Sequence, residues 1–198
     1  MPVKDTINFE EFECIPVFCF SNDMKRLAFS PNNKQVHIYS LAGSEWKLES
    51  TLGEHTERVT GIDWAPKSNR IVTCAEDRNA YVWAEESPGE WKPSLVLLRI
   101  NRTATKVKWS PKEDKFAVGS GNKAICVCYY EVGNNWWVSK HIKKPIRSTV
   151  LCIDWHPSST VLAAGASDFC VRVFSASIKE IESKPTPTGW GSKILFGS

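Results

Sequence analysis

The sequence has no long apolar run, no strongly one-sided charge and no CxxC motif, and each of these gaps excludes a class of protein. Its apolar stretches are far shorter than the roughly 20 residues that a membrane-spanning helix needs. The net charge of +3 over 198 residues is too small to favour nucleic acid or an anionic membrane as a partner. The opening MPVKDTINFEEFEC lacks the basic and then apolar layout of a secretory signal, so we expect none.

The cysteine pattern indicates free thiols rather than a disulfide framework. There are seven cysteines, an odd number. Cys126 and Cys128 form the only close pair, and residues two apart on a strand point to the same side. We therefore predict buried free thiols in a cytosolic protein, with zinc binding or disulfides as the alternatives.

What the sequence does contain is an internal repeat. Trp64, Trp109 and Trp155 are 45 and 46 residues apart, and a proline follows each of them by two positions. The first copy is the most degenerate and has Phe20 near the tryptophan position. Agreement at so many positions indicates one structural unit repeated along the chain. The four copies occupy 17–39, 60–83, 105–128 and 151–174.

Each copy has the pattern of short β-strands. VTGIDW, TKVKW and VLCIDW alternate small or apolar residues with polar ones, and the proline that follows ends the strand. RIVTCA, KFAVGS and VLAAGA are apolar runs of the kind that suit strands covered on both faces. AYVW, AICVC and CVRVF predict a third strand, and the spacers 45–52, 90–100 and 135–142 predict a fourth. Four strands in about 45 residues is typical of a propeller blade, so the predicted fold class is all-β.

The repeat resembles the WD-repeat β-propeller, and the second copy carries the resemblance best, with GEH at 53–55, Asp77 in a turn and Trp83 ending a strand. We predict four blades, at about 12–52, 57–100, 103–142 and 148–183, with 184–198 as a linker towards a fifth. The resemblance implies a ring of seven blades. Because an open arc leaves two blade faces uncovered, we expect this chain to be marginally stable or aggregation-prone, as a truncated isoform, a fragment or an incomplete gene product.

His55, Thr73 and Asp77 have the residue types of a hydrolase site, but their positions favour a structural role. The WD resemblance implies that these three residues and Trp83 form a buried hydrogen-bond network that satisfies the indole and imidazole nitrogens. A hydrolase would need an exposed hydroxyl beside a base and an oxyanion hole, whereas Thr73 lies within an apolar run. We therefore predict a structural network, and we expect blade 2 to be the most stable.

The remaining chemical motifs do not predict an enzyme, a cofactor or a metal site. GSGNK at 119–123 lacks the GxxxxGK[ST] pattern of a phosphate loop. His37, His141 and His156 are dispersed and have no carboxylate or cysteine at ligand spacing. Asp63 and Asp154 occupy equivalent positions of two copies, which indicates a shared structural role rather than an acid–base pair.

The segment WWVSKHIKKPIRSTV at 136–150 is the most distinctive part outside the repeat. Three interpretations remain open: a solvated outer strand and loop, a docking surface for an acidic or protein partner, or a nucleic-acid site. The candidate partner-binding residues are Trp136, Trp137, Lys140, Lys143, Lys144 and Arg147.

Several longer stretches resemble one family closely, the WD-repeat subunit (subunit 1) of the actin-related protein 2/3 complex. They include NRIVTC, WKPSLVLLRINR, WWVSKHIKKPIRSTVL and PTPTGWGSK, and they extend into spacers that propeller geometry does not require. The resemblance implies a non-catalytic cytoplasmic scaffold of the actin cytoskeleton that supports nucleation of branched filaments. Its implied partners are the other subunits, actin filaments through the complex, and the acidic tails of nucleation-promoting factors. The alternative is a WD-repeat interaction module of a different multiprotein assembly.

Overall fold

The protein is described by a computed structural model that covers residue 9, residues 12–182 and the backbone of 194–196. The strands form four antiparallel sheets, and no helix occurs among these residues. The prediction of an all-β fold with four blades is confirmed. Along the chain the strands are β1 Val17–Phe20, β2 Arg26–Ser30, β3 Val36–Ala42, β4 Glu45–Leu52, β5 Val59–Trp64, β6 Arg70–Ala75, β7 Asn79–Ser87, β8 Glu90–Leu97, β9 Ala104–Trp109, β10 Lys115–Ser120, β11 Ala124–Glu131, β12 Trp136–Ile142, β13 Val150–Trp155, β14 Val161–Ala166, β15 Val171–Ser175 and β16 Ile194–Phe196.

Each blade is a meander of four strands joined by short turns. Blade 1 contains β1–β4, blade 2 contains β5–β8, blade 3 contains β9–β12 and blade 4 contains β13–β16. The turn between the second and third strands holds a residue with positive φ in three blades: Arg78 (70°), Lys123 (55°) and Phe169 (62°). This recurrence shows that the repeat fixes backbone conformation as well as side chains.

Two stretches differ from the sequence expectations for fourth strands and linkers. The outer strand of blade 2 ends at Leu97, and Leu98 and Ile100 leave it to become buried between blades 2 and 3. Ile194–Phe196 pairs with β15 as the fourth strand of blade 4, whereas the sequence predicted a linker over 184–198. The other residues of that predicted linker lie outside the described residues.

The apolar core is divided into layers between neighbouring blades. Ala28, Val36 and Ile38 of blade 1 pack against Val59 and Trp64 of blade 2. A second cluster joins blade 2 to blade 3, and a third joins blade 3 to blade 4. Because side chains alternate across a strand, each inner sheet contributes one face to the blade before it and one to the blade after it. This is the two-sided burial that the apolar runs RIVTCA and KFAVGS predicted.

Gly61 lies where two blades approach most closely. A Cβ at this position would lie 2.8 Å from the backbone nitrogen of Val107 in the next blade and 2.9 Å from Cys74 Sγ. Only a residue without a side chain therefore fits between β5 and β9.

Candidate functional site

The four residues of the predicted network come together within blade 2. His55 precedes β5, Thr73 lies on β6, Asp77 occupies the β6–β7 turn and Trp83 lies on β7. His55 Nδ1 is 2.8 Å from Asp77 Oδ2, and His55 Nε2 is 2.8 Å from Thr73 Oγ1. Trp83 Nε1 donates to the same hydroxyl over 2.9 Å. The structure thus links the four side chains in one continuous chain of hydrogen bonds.

The donors and acceptors of this network have a single consistent direction. An ionised Asp77 only accepts, so in the neutral ring of His55 the proton is on Nδ1 and Nε2 accepts. The Thr73 hydroxyl accepts from the Trp83 indole and donates its own proton to Nε2. Burial opposes ionisation of Asp77, but hydrogen bonds from His55 and from the backbone N–H of Asn79 and Thr56 outweigh it and lower the pKa of Asp77.

The network is closed to substrate. Thr73 and His55 are buried, and the ring of Tyr81 packs edge-on against His55 with centroids 4.9 Å apart. Both hydrogen-bonding capacities of the hydroxyl, one to give and one to receive, are already engaged within the blade. A nucleophile needs a free and accessible oxygen, so the arrangement of Thr73, His55 and Asp77 stabilises the blade instead of activating a reactant.

The corresponding turn of blade 4 uses a different partner for its carboxylate. Asp168 Oδ1 accepts from Arg172 Nη1 over 3.0 Å, and this guanidinium lowers the pKa of Asp168. The backbone N–H of Cys170 also bonds to Asp168. The carboxylate of this turn is thus retained without the histidine, which explains how the repeat tolerates the absence of a GH pair here.

The structure separates the two tryptophans of the 136–150 segment. Trp137 is only 9% exposed, and its ring lies 5.9 Å from that of Trp109 and 5.2 Å from that of Phe116. Trp136 is 51% exposed at the start of β12. Since alternate residues of a strand face opposite ways, one tryptophan belongs to the blade core and only Trp136 is available to a partner.

The four basic residues of this segment also divide into two kinds. Lys140 forms an ion pair with Glu180 and lies over the ring of Tyr129. Lys143, Lys144 and Arg147 are exposed in the loop between blades 3 and 4. Within the described part of the chain, no carboxylate lies within 4.0 Å of these three. The loop is therefore the strongest uncompensated positive feature of the segment.

Trp136 borders an apolar groove that the sequence analysis missed. The groove has a volume of about 220 Å³ and lies between the outer strands of blades 2 and 3. Leu95 and Leu97 contribute exposed side chains from β8, and Arg99 lies at its end. The alternation of Leu95 and Leu97 along one strand was the available sequence signal, because it places two large apolar residues on the same outer face.

A second feature missed by the sequence analysis is a cation at each blade junction. The first residue of the second strand stacks on the tryptophan that ends the first strand of the next blade. Arg26 Cζ lies 5.0 Å from the ring centroid of Trp64, and Arg70 Cζ lies 4.9 Å from that of Trp109. The third contact joins Lys115 Nζ to Trp155 at 5.8 Å. These contacts tie each blade to the following one by cation–π attraction.

Each of these cations also has a carboxylate partner. Glu85 pairs with Arg26 at 2.9 Å and Glu113 pairs with Arg70 at 3.8 Å. Lys115, whose side chain is fully buried, is held by Glu182 at 2.5 Å. Because an unpaired charge in the interior is costly, the stability of the junction between blades 3 and 4 depends on Glu182, which lies beyond β15.

Inner-strand bonds complete the junctions. Thr60 Oγ1 donates to the Ala104 carbonyl of the next blade over 2.7 Å, and Thr105 repeats this contact with Val150 at 2.6 Å. Asp63 accepts from the backbone N–H of Trp109 over 2.7 Å. Burial raises the pKa of Asp63 to about 6 despite that bond.

Groups suited to metals or reactive thiols were sought among the described residues. No cluster of three or more His, Cys, Asp or Glu side chains is placed to hold a metal ion there. The seven cysteines are free thiols, and burial raises the pKa of Cys74 and of Cys126 to about 12. In the described part of the chain, no helix is long and apolar enough to cross a membrane.

The geometry of the blades agrees with the sequence relationships. The family model described as "WD domain, G-beta repeat" matches residues 46–84 and 139–175. The chain is therefore a WD-repeat protein with a β-propeller type of fold.

Over nearly its whole length the chain is homologous to subunit 1 of the actin-related protein 2/3 complex. It is 59% identical to subunit 1A-A of Xenopus laevis over 193 residues, covering 96% of this chain and 52% of that protein. It is 50% identical to subunit 1 of Schizosaccharomyces pombe over 179 residues, 90% of this chain and 48% of the relative. Subunit 1A of Arabidopsis thaliana is 48% identical over 198 residues, 100% of this chain and 52% of the relative. The chain thus spans about half the length of these relatives.

Proposed function

We propose that this chain acts as a non-catalytic scaffold in the actin-related protein 2/3 complex, within the actin cytoskeleton of the cytoplasm. In this role it contacts the other subunits and supports nucleation of branched actin filaments. The observation that carries the proposal is 59% identity over 96% of the chain to a relative named as subunit 1 of that complex. Identity of this extent includes the spacer strands and loops, which a propeller of any function could vary.

The absence of a site for chemistry among the described residues supports a scaffold role. The polar set in blade 2 is buried and satisfied by its own members, as its distances of 2.8 to 2.9 Å show. The surface instead offers exposed apolar and basic side chains near the boundary of blades 2, 3 and 4. Such a surface suits recognition of another protein better than turnover of a small molecule.

We further propose that the loop formed by Lys143, Lys144 and Arg147 receives the acidic tails of nucleation-promoting factors. Three exposed cations without a carboxylate within 4.0 Å in the described chain would attract an acidic segment and raise its association rate. Trp136, with Leu95 and Leu97 beside it, offers the apolar contact that such a tail needs for a longer-lived complex. Trp137 is too deeply buried for this role, and Lys140 contributes less because Glu180 already neutralises it.

The scaffold role is tested by assembly. A tagged chain is expressed in cells, and its co-purification with the actin-related proteins and the remaining subunits is measured. Recovery of those subunits is expected. Recovery of a different set of partners would instead favour a WD-repeat module of another assembly.

The tail-binding role is tested separately on the assembled complex. The Lys143→Glu, Lys144→Glu, Arg147→Glu variant should weaken binding of a fluorescent acidic-tail peptide by at least about tenfold at low salt, since opposed charges slow association and shorten the complex. The matched control reverses Lys25, Lys34 and Lys67, which are exposed elsewhere and change the net charge equally. Equal weakening by both triple variants would show a general charge effect and reject a specific site.

A further inference from the structure

The face of blade 1 that points away from blade 2 is covered, although no sheet lies on it in the described structure. Ala28 and Ile38 face blade 2, so their strand neighbours Leu27, Phe29 and Tyr39 face the other way. Nevertheless Phe29 is 0% exposed. The cover is the N-terminal aromatic segment, defined by Phe9, Phe12 and Ile15, which packs against these three residues.

This segment is held by its side chains. The ring of Phe9 lies 4.6 Å from that of Phe29 and 4.8 Å from that of Tyr39. Phe12 approaches Phe29 at 5.6 Å in an edge-on arrangement. A turn with a 3.0 Å bond from the Phe12 N–H to the Phe9 carbonyl sets both rings on the same side. In the described chain the segment adds no strand to the sheet of blade 1, so aromatic packing is its main attachment.

Two uncovered surfaces show what the segment changes. On the first strand of blade 1, Phe18 lies beyond the reach of the segment and is 60% exposed. On the corresponding outward face of blade 4, Leu151 is 57% and Val171 is 69% exposed. Blade faces of the same construction therefore stay open to solvent wherever the aromatic segment does not reach.

We propose that the N-terminal aromatic segment is an intramolecular plug that blocks self-association of the chain through the outward face of blade 1. An apolar sheet face is a surface on which a second copy can pack. The plug occupies this face with residues of the same molecule, whose effective concentration exceeds that of another chain. Because it is bound by two rings and little else, it can be displaced without unfolding the blade.

The first test removes the two rings from the full chain with Phe9→Ala and Phe12→Ala. We expect concentration-dependent dimers or larger species by light scattering, at concentrations where the unchanged chain shows fewer. Hydrogen exchange of the β2 and β3 amides should accelerate by at least about tenfold, while β10 and β11 of blade 3 keep their rates. The matched control is Phe18→Ala, which removes the same group from an exposed position of the same face.

The second test supplies the plug in trans. A synthetic peptide of residues 1–16 should return the double variant to the lower association state and restore protection of β2 and β3. The same peptide with both phenylalanines changed to alanine should do neither. The proposal is overturned if the double variant associates and exchanges as the unchanged chain does, if exchange rises equally in all four blades, or if the two peptides act alike.

Discussion

The hydroxyl of Thr73 holds the polar network of blade 2 together, and Thr73→Val is the change that isolates its contribution. Valine has nearly the same shape and prefers strands, so the backbone of β6 and the packing around it are preserved. What disappears is one oxygen that serves two neighbours. The Trp83 indole loses its acceptor at 2.9 Å, and His55 Nε2 loses its donor at 2.8 Å.

The size of the effect follows from the burial of those two neighbours. His55 is 3% exposed and Trp83 is 2% exposed, so water cannot replace the missing hydroxyl without opening the blade. A buried polar group left without a partner costs about 1 to 3 kcal/mol, which gives about 2 to 4 kcal/mol for the pair. The methyl group gained by valine offsets a part of that loss, of the order of 0.8 kcal/mol.

The assay is a comparison of unfolding free energies by far-UV circular dichroism, with trimethylamine oxide added to every sample if the weaker variants need it. Thr73→Ser is the control, because it keeps the hydroxyl and deletes only a methyl group. A second comparison uses Trp83→Phe, which removes the indole donor. Its cost should be smaller in the Thr73→Val background by at least about 1 kcal/mol, since the two residues share one bond.

The reasoning is refuted by either of two results. Thr73→Val that costs no more than Thr73→Ser would mean that the hydroxyl satisfies nothing of consequence. Additive effects of Thr73→Val and Trp83→Phe would mean that the 2.9 Å contact contributes no stability of its own.

Three further changes test the blade junctions. Asp63, whose raised pKa of about 6 exceeds the ordinary value of 3.8, holds more protons when folded, so stability falls as the pH rises between these values; Asp63→Asn should remove this slope in pH-dependent urea titrations and gain up to about 2 to 3 kcal/mol above pH 6. Lys115→Met should cost about 3 to 5 kcal/mol in the same assay because Glu182 is left buried and unpaired, and adding Glu182→Leu should recover most of it. Gly61→Ala should lower the free energy of unfolding by about 1 to 3 kcal/mol, whereas Gly53→Ala, which meets nothing within 4 Å, should not.

The sequence predicted the blades well because their signals are periodic and local. Trp64, Trp109 and Trp155 recur at nearly constant spacing, and each is followed by the proline that ends its strand. Alternation along short apolar runs is enough to place strands in a sheet. The spacing of His55 and Asp77 gave the membership of the network, while its direction of hydrogen bonding required coordinates.

The junction contacts were less visible, for a physical reason. Arg26, Arg70 and Lys115 stand at equivalent positions of three copies, but long basic side chains on strands usually signify solvent. Only the structure shows that each lies over a tryptophan of the next blade. The partner carboxylates come from unrelated positions, so Glu182 could not be assigned to Lys115 by spacing.

The tryptophan pair shows a similar limit within one strand. Residues 136 and 137 must face opposite ways, so the sequence required one buried and one exposed ring. It could not say which, because the choice depends on Trp109 and Phe116, which are far away along the chain.

The Thr60 and Thr105 hydroxyls bond to carbonyls of the following blade, and this has a consequence for biosynthesis. Each donor emerges from the ribosome more than forty residues before its acceptor, Ala104 or Val150. At about 5 to 20 residues per second, a finished sheet waits several seconds for the strand that completes its outward contacts. Maturation is therefore vectorial: every newly made blade acts as the template and the seal for the one synthesised before it.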